Sequence, residues 1–499
     1  MKKYLTKIIA LFLALVMLIP AAVSCADTAD GEETTVPAGD GAATTVEALP
    51  ETESPYDGNG YLKDRIPDDL NYGGETVDIL YWNNAKNVEY VAEDDGDSIN
   101  SSIYYRNLAV EERLGVTFNW IGENGDYGQR TDFNNAIAAD LSGDCIYDII
   151  SAYSTTIAMA ATYGYALDLM EYSDKLALDM PWWGADLTDM ATINGKLYFA
   201  TGDISTNYLL RMYGTFFNKE LVTNYNLANP YDLVDSGEWT VDKFIELAST
   251  MSGTAGAGGN VVYGLVHDAI TVEALFYGSN LSFVDKDGDD MPKLSDTWKG
   301  DAAVTLVEKV SAYCKTDSVL NDSKNDEKTF TSGSSLFIIY ALDFAMNYLP
   351  GSGIDFGIAP IPKYNKDQQG YSTTLNYKYS LYMISKGTDI PEIAAYTLEA
   401  LASEGYRSVT PNLYEVAMKI RYTTDATSQR MIDHIRNGVS FEVGRTFTHI
   451  FDYETYRAIR KALAGTAAEG WSSTSTSLEP VFKKQLESLI RSEAFSAKS

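Results

Sequence analysis

The chain has 499 residues, of which 45% are hydrophobic, and its formal net charge is -32 at pH 7. This acidity argues against nucleic acid and anionic membrane surfaces as partners, because both would repel the protein. A chain of this length exceeds what one hydrophobic core usually organises, so a folded body of two lobes is expected.

The first 24 residues have the pattern of a secretory signal peptide. Three lysines between Lys2 and Lys7 form a basic start, and Ile8–Ile19 is an apolar run too short to span a bilayer comfortably. Small residues then lead to Ala22–Cys25, which resembles the lipobox of bacterial lipoproteins, in which the cysteine is lipidated. We therefore expect Cys25 to anchor the protein on the extracellular face of the cell membrane. The alternative is that the segment is an ordinary signal peptide in which the cysteine occurs by chance.

Residues 25–73 are interpreted as the lipidated cysteine followed by a disordered acidic linker. Between Ala26 and Tyr56 the chain consists largely of Ala, Thr, Gly, Pro and acidic residues, and it contains no Lys or Arg. Such a segment buries too little apolar surface to offset the entropy that ordering would cost. It is suited to act as a flexible tether between the lipid and the folded body.

The folded body is predicted to open with alternating strands and helices. The predicted strands are Thr76–Trp82, Val116–Ile121 and Tyr147–Ile150, and the predicted helices run from Ser102 to Leu114 and over Phe133–Leu141. This order is typical of a parallel sheet with crossover helices. Ligands of open α/β sheets bind beyond the carboxyl ends of the strands, so the residues at these strand ends are candidate ligand contacts.

The rest of the chain continues in the same α/β style and shows no internal repeat. Strands are predicted at Leu197–Ala200, Val261–Leu265, Ser335–Tyr340, Ile354–Pro360 and Tyr379–Ile384. Helices are predicted at Val241–Ser249 with Thr240 as its N-cap, at Ala302–Lys315 and from Pro391 to Leu401. The C-terminal third is expected to be helical.

Two local features have competing interpretations. Cys145 and Cys314 could pair outside the cell, but they belong to separate predicted elements, which favours free, buried thiols. In the acidic run Asp285–Asp290, Gly288 stands fourth where an EF-hand loop needs glycine at its sixth position, and no terminal glutamate follows. We therefore predict a tight Asp-Gly hairpin turn, with a calcium site as the alternative.

No catalytic motif stands out in the sequence. The three histidines, His267, His434 and His449, lack metal-ligand spacing, and there is no nucleophile-elbow or phosphate-loop signature. Carboxylates are so numerous that counting alone does not exclude a glycosidase pair. We expect a protein that binds and does not catalyse, with no metal and no cofactor, and keep a surface glycan-degrading enzyme as an alternative.

Several short segments, in this order, resemble a bacterial extracellular solute-binding protein of family 1, the lipoprotein receptors of carbohydrate ABC importers. The resemblance runs from about Gly74 to the C-terminus. The segments are Arg106–Asn107 with Glu111–Val116, Leu197–Asp203, Phe217–Glu220, Tyr231–Thr240 and Phe356–Lys363.

This resemblance implies an α/β fold like that of type II periplasmic binding proteins, with two α/β lobes joined by a multi-segment hinge. The first lobe would comprise residues 74–200 with 372–411, and the second residues 201–371 with 412–499. The family implies a monomer that captures an oligosaccharide between the lobes and delivers it to the permease subunits of an ABC transporter. A peptide-binding receptor of the same fold is a further alternative.

Sugar sites combine aromatic faces, which stack on the apolar side of sugar rings, with amides and carboxylates that bond the hydroxyls. The 35 tyrosines and seven tryptophans therefore favour a sugar ligand over a peptide. Candidates lie at strand ends and in loops that the resemblance places at the cleft, although core packing or a turn position is the competing interpretation for them. They are Trp82, Asn83, Asn84, Tyr153, Trp182, Trp183, Tyr340, Asp343, Asn376, Tyr377, Phe451 and Tyr453.

Overall fold

A computed structural model describes residues 54–255, 261–414 and 426–496. The predicted signal peptide, Cys25 and the linker as far as residue 53 lie outside these ranges. Within them, none of the helices is both long enough and apolar enough to cross a membrane.

The first sheet has four strands, in the spatial order Ser380–Ile384, Ile149–Tyr153, Glu75–Trp82 and Val116–Glu123. The last three run parallel, as the alternation of strands and helices predicted, and Ser380–Ile384 joins the edge antiparallel. The strand predicted at 147–150 begins two residues later along the chain than predicted and runs from Ile149 to Tyr153.

Single capping residues determine where the first long helix, Ser98–Leu114, begins and ends. It begins four residues before the predicted start because the Asp97 side chain accepts hydrogen bonds from the backbone N–H groups of Ile99 and Asn100. It ends where predicted, at Gly115, whose φ of 62° is a left-handed conformation that glycine adopts without strain.

The second sheet is mixed and larger. Its main path is Phe356–Ala359, Tyr213–Asn218, Ser335–Ala341, Val261–His267 and Ser252–Ala255, and Val319–Asn321 pairs with Val261–His267. The strand predicted at Leu197–Ala200 is wrong: this segment forms a single bridge, between Ala200 and Tyr382. A separate hairpin pairs Val284–Lys286 with Pro292–Leu294, which confirms the turn predicted within Asp285–Asp290.

Helices cover both sheets. In the first half of the chain, α-helices are Ser98–Leu114, Arg130–Leu141, Ser154–Thr162, Ala185–Ala191, Thr206–Leu210, Lys219–Asn224, Pro230–Asp235 and Val241–Ala248. In the second half they are Ala274–Gly278, Asp301–Cys314, Asp326–Thr331, Phe344–Asn347, Pro391–Glu404, Thr410–Asn412, Ala426–Asn437, Val443–Thr446, Glu454–Leu463 and Trp471–Ile490. Short 3₁₀ helices are Leu169–Tyr172, Thr271–Glu273 and Thr297–Lys299, and Gly405–Val409 is a π-helix.

Two chain segments run side by side between the sheets. The backbone N–H of Tyr213 donates to the Thr374 carbonyl at 3.0 Å, and the N–H of Asn376 donates to the Arg211 carbonyl at 2.7 Å. Ala200 forms a further antiparallel bridge with Tyr382, which belongs to the first sheet. Both connections between the sheets are therefore fixed to each other by backbone hydrogen bonds.

Cys145 and Cys314 are free thiols, as predicted, and both residues are half-buried. Burial raises the pKa of the Cys314 thiol to about 12, so it stays protonated and unreactive at neutral pH.

Residues 57–73, which the sequence assigns to the linker, pack against the folded body. The Asp64 carboxylate, whose side chain is 3% exposed, is 2.6 Å from a guanidinium nitrogen of Arg113 and 2.6 Å from one of Arg407. Burial alone would raise the pKa of Asp64, but the hydrogen bonds and charges of the two arginines outweigh it and hold that pKa well below its usual range. Ile66 is buried beside it.

Replacing Asp64 by Asn should lower the free energy of unfolding at pH 7 by about 3 kcal/mol, because two arginines lose a buried carboxylate. The folded-state pKa of Asp64 is lowered, so this contribution is fully present above the unfolded pKa of about 4 and fades as pH falls towards the folded pKa. Denaturant unfolding of both proteins at pH 7 and pH 3 checks this. The exposed Asp69→Asn is the control, and equal losses for the two variants would contradict the docking of this segment.

Candidate functional site

One cavity of about 340 Å³ is lined by residues from both sheets and from the segments between them. Tyr153 is the last residue of its strand in the first sheet, which is the position that the strand-end rule predicts for a ligand contact. Tyr340 and Ala341 end a strand of the second sheet. The lining is Tyr127, Tyr153, Thr155, Tyr213, Asp268, Ile270, Thr271, Tyr340, Ala341, Asn376, Tyr377, Lys378, Tyr456 and Arg460.

Tyrosines supply most of the aromatic surface of this cavity. The ring centroids of Tyr127 and Tyr153 are 6.2 Å apart, and those of Tyr377 and Tyr456 are 5.4 Å apart. The Tyr127 and Tyr456 hydroxyls are 3.2 Å from each other. A tyrosine offers an apolar face and a polar hydroxyl, so this lining can both stack on a ring and bond its substituents.

A buried ionic cluster holds one wall of the cavity in place. The Glu273 side chain is 0% exposed, and its carboxylate accepts hydrogen bonds from Arg460 at 2.5 and 3.0 Å and from Arg445 at 3.1 Å. The Arg445 guanidinium lies 3.9 Å from the centroid of the Tyr377 ring. Arg445 also donates to the Leu375 carbonyl, which ties the C-terminal helices to the segment that precedes Asn376.

Asp268 is the carboxylate of the lining. It follows the strand Val261–His267 and accepts hydrogen bonds from the backbone N–H groups of Ile270 and Thr271. Burial raises the pKa of Asp268. An acceptor that is already oriented by backbone donors is well placed to bond a ligand hydroxyl.

Four of the predicted site residues line the cavity, namely Tyr153, Tyr340, Asn376 and Tyr377. The Asn376 side-chain amide donates to the Tyr213 hydroxyl at 3.1 Å. The Tyr340 hydroxyl donates to the Glu327 carboxylate at 2.8 Å. These bonds fix both side chains at the cavity wall.

Trp82 lies in the core and not at the cavity. Its indole N–H is bonded to the Tyr90 hydroxyl at 2.7 Å and to the Ser380 hydroxyl at 3.1 Å. The side chain is 2% exposed, so the strand-end prediction of a sugar-facing ring is not met in this structure. The physical reason is that the segment after this strand folds back and buries Tyr90 beside it.

Trp182 and Trp183 are also buried away from the cavity. Their indole N–H groups donate to the Glu399 carboxylate at 3.1 and 2.8 Å, and the backbone N–H of Ala177 donates to it as well. Burial raises the pKa of Glu399 to about 7, although these donors favour its charged form. Satisfying that buried carboxylate is the structural use of both tryptophans.

Asp343 and Phe451 are fully buried, which corrects two further site assignments. The Asp343 carboxylate is 2.9 Å from Arg211 and neutralises a guanidinium that would otherwise be a buried unpaired charge. The Phe451 ring packs at 5.4 Å from that of Phe482 on the last helix.

Asn83, Asn84 and Tyr453 lie outside the lining. The two asparagines are exposed in a turn, where the Asn84 side chain accepts from the backbone N–H of Gly125 at 3.1 Å. Tyr453 is close to the lining, since its ring centroid is 5.7 Å from that of Tyr127. Its hydroxyl accepts from Arg130 at 2.8 Å.

Sequence reasoning missed the rest of the lining. Lys378 directly follows Asn376 and Tyr377, and Tyr456 lies in the first turn of the helix Glu454–Leu463, which begins directly after Tyr453. Both therefore adjoin segments that the sequence had already indicated. Asp268 and Tyr213 had no local signal, because only the tertiary fold brings them to the cavity.

No protein-family model matches the chain, and no curated protein matches it in sequence. Solved structures do match it in fold. A cyclic alpha-maltosyl-1,6-maltose binding protein from Arthrobacter globiformis has a TM-score of 0.57 at 14% identity, over 83% of this chain and 100% of that one. A sugar transporter from Rhizobium etli in an open conformation has a TM-score of 0.55 at 14% identity, over 83% of this chain and 99% of that one.

A third structure of this kind is UgpB from Mycobacterium tuberculosis in complex with glycerophosphocholine. Its TM-score is 0.54 at 15% identity, over 84% of this chain and 100% of that one. These likenesses confirm the predicted fold class, a two-lobed α/β protein like the periplasmic binding proteins.

Replacing Trp82 by Ala should lower the free energy of unfolding by about 3–5 kcal/mol, because a large core side chain and its two hydrogen bonds are lost. Thermal and denaturant unfolding of the ligand-free protein measure this. Tyr104→Ala, at an exposed position on the helix Ser98–Leu114, is the control and should change the unfolding free energy little. A Trp82→Ala protein as stable as the wild type would return Trp82 to the list of candidate ligand contacts.

Proposed function

We propose that this protein is an extracellular solute-binding receptor that captures an oligosaccharide in the cavity between its two sheets. It delivers the ligand to the permease subunits of an ABC importer and carries out no chemistry on it. The lobes comprise residues 74–200 with 372–411 and residues 201–371 with 412–499. The boundaries of the first lobe are supported by the first sheet, since three of its strands lie within residues 75–153 and the fourth is Ser380–Ile384.

The observation that carries this proposal is the composition of the cavity wall. It combines six tyrosines with one carboxylate, one amide and two cationic side chains, drawn from both sheets and the connections between them. The volume of about 340 Å³ lies within the range of small-molecule sites. A ligand that touches both lobes stabilises the closed arrangement by its differential contacts, which is how such a receptor would signal occupancy.

The wall favours binding over glycoside hydrolysis. A glycosidase needs two carboxyl groups flanking the scissile bond, and Asp268 is the single carboxylate among the described residues of this lining. None of the three histidines lies in that lining. Burial, and then the charge of Arg130, lower the pKa of His449 to about 3, so it is neutral at pH 7.

Screening the purified protein by thermal shift against neutral glycans, acidic glycans and peptides tests the proposal. A ligand that binds only the native state raises the unfolding midpoint, and at a hundredfold excess over its Kd it adds about 2.7 kcal/mol of stability. We expect at least one oligosaccharide to raise the midpoint and to remain chemically intact. Stabilisation by peptides alone, or release of shortened sugars, would contradict the proposal.

Replacing Tyr456 by Ala should weaken oligosaccharide binding about tenfold, because the cavity loses an aromatic face. Titration calorimetry measures the Kd, and the unfolding midpoint of the free protein shows whether the variant is still folded. Tyr225→Ala is the matched control, since Tyr225 is exposed and outside the cavity lining. Equal affinities for the two variants would place the binding site elsewhere.

We also propose that Cys25 carries the lipid anchor. The basic start, the short apolar run and the small residues before the cysteine support this. Replacing Cys25 by Ala should abolish incorporation of labelled palmitate and release the protein into the medium, with Cys145→Ala as the control. Membrane retention of the Cys25 variant would contradict the anchor.

A further inference from the structure

Positive charge is concentrated around the cavity of a protein that is otherwise strongly acidic. Lys378 lines the cavity directly after Asn376 and Tyr377. The residue is exposed, and within the described part of the chain only its backbone N–H makes a hydrogen bond, to the Asn376 side chain at 3.2 Å. Its ammonium group forms neither a hydrogen bond nor an ion pair with those residues. An ammonium without a partner beside a cavity is free to bind an anion that enters it.

Two further cations lie near Lys378 and share one carboxylate. Arg211 is 4% exposed and pairs with Asp343 at 2.9 Å, while the Lys86 ammonium is 3.8 Å from the same carboxylate. The Nε and Nη2 atoms of Arg211 have no hydrogen-bond partner among the described residues. The single negative charge of Asp343 thus balances only one of the two positive charges of Arg211 and Lys86, and a net positive charge remains.

The charges of Arg211 and Lys86 also act on the ammonium group of Lys378. Partial desolvation lowers the pKa of its ammonium, and the like charges of Arg211 and Lys86 lower it further, whereas Asp126 and Asp343 act in the opposite sense but more weakly. The local field at this part of the lining is therefore positive in spite of the two nearby carboxylates. A bound anion would relieve that repulsion.

Other cations in and beside the lining also have fewer carboxylate partners than charges. Arg445 and Arg460 share the single carboxylate of Glu273. Arg130 donates to the Tyr453 hydroxyl, and Arg457 lies 5.1 Å from the centre of the Tyr453 ring, but neither forms an ion pair within the described residues. Two carboxylates offset part of this charge, namely Asp268 in the lining and Glu327, which accepts from the Tyr340 hydroxyl. With Lys378 and Lys86 included, the cations at and around the lining still outnumber the carboxylates.

We propose that the oligosaccharide recognised by this cavity is acidic, and that an anionic group on one of its sugar rings binds Lys378. This inference rests on the proposed function. The tyrosines contact the sugar rings, Asp268 accepts from a hydroxyl, and the excess cations select a carboxylate or a sulfate ester over a neutral substituent. Negative charge elsewhere on the protein does not weaken this selection at close range, because charges more than a Debye length away are largely screened.

The test uses pairs of oligosaccharides that differ only in charge. Trigalacturonate is compared with its methyl ester, and a sulfated carrageenan oligosaccharide with its desulfated form, by titration calorimetry on the full folded chain. We expect at least one acidic member to bind at least tenfold more tightly than its neutral partner, as one charge-assisted hydrogen bond would give. Which pair shows the difference identifies carboxylate or sulfate as the anion.

Lys378→Met removes the charge and keeps the length of the side chain. It should weaken binding of the preferred acidic sugar at least tenfold, leave the neutral partner within about twofold and leave the unfolding midpoint unchanged. Lys484→Met, at an exposed position on the last helix, is the matched control.

Equal binding of neutral and acidic partners, or an unaltered Kd in Lys378→Met, would overturn the acidic ligand while leaving a sugar receptor standing. Binding of peptides and of no sugar would overturn the proposed function and this inference together.

Discussion

The arrangement of this protein depends on backbone hydrogen bonds between the two segments that connect its sheets. Tyr213 bonds to Thr374, and Asn376 bonds to Arg211, so neither segment can shift without the other. The same segments carry Tyr213, Asn376 and Lys378 to the cavity. A paired connection of this kind can bend as a unit while each sheet stays rigid, which is compatible with the closure that we propose.

A second constraint comes from charges that are buried in an acidic protein. Glu273, 0% exposed, is satisfied by two arginines from the C-terminal part of the chain, and this fixes Arg460 at the cavity wall. Removing one partner of such a cluster would leave an uncompensated buried charge, which costs far more than the pair contributes. The C-terminal helices therefore form part of the cavity wall, through Tyr456 and Arg460.

Local sequence patterns predicted the scaffold well. Strand and helix periodicity predicted the first parallel sheet, and Thr240 caps its helix as expected, with its hydroxyl accepting from the Lys243 N–H at 3.3 Å. These features depend on neighbours along the chain, which a single sequence contains. The failed strand at Leu197–Ala200 lies in a connection, where pairing depends on the position of Tyr382 far along the chain.

The site was harder to predict because the same local rule gave opposite results at two strand ends. Tyr153 reaches the cavity, whereas Trp82 is covered by the segment that carries Tyr90. Aromatic residues satisfy both roles equally well, so only the tertiary path of the covering segment decides between them. Asp343 shows the same limit for carboxylates, since its partner Arg211 is more than a hundred residues away in the sequence.

The most direct test of the central claim is a crystal structure of the protein with the oligosaccharide that stabilises it most. We expect the sugar to lie in the cavity, in contact with Tyr153 from the first sheet and Tyr340 from the second, with both connecting segments still paired. A sugar bound outside this cavity, for example in the surface cavity beside Trp183 and Arg436, would contradict the account.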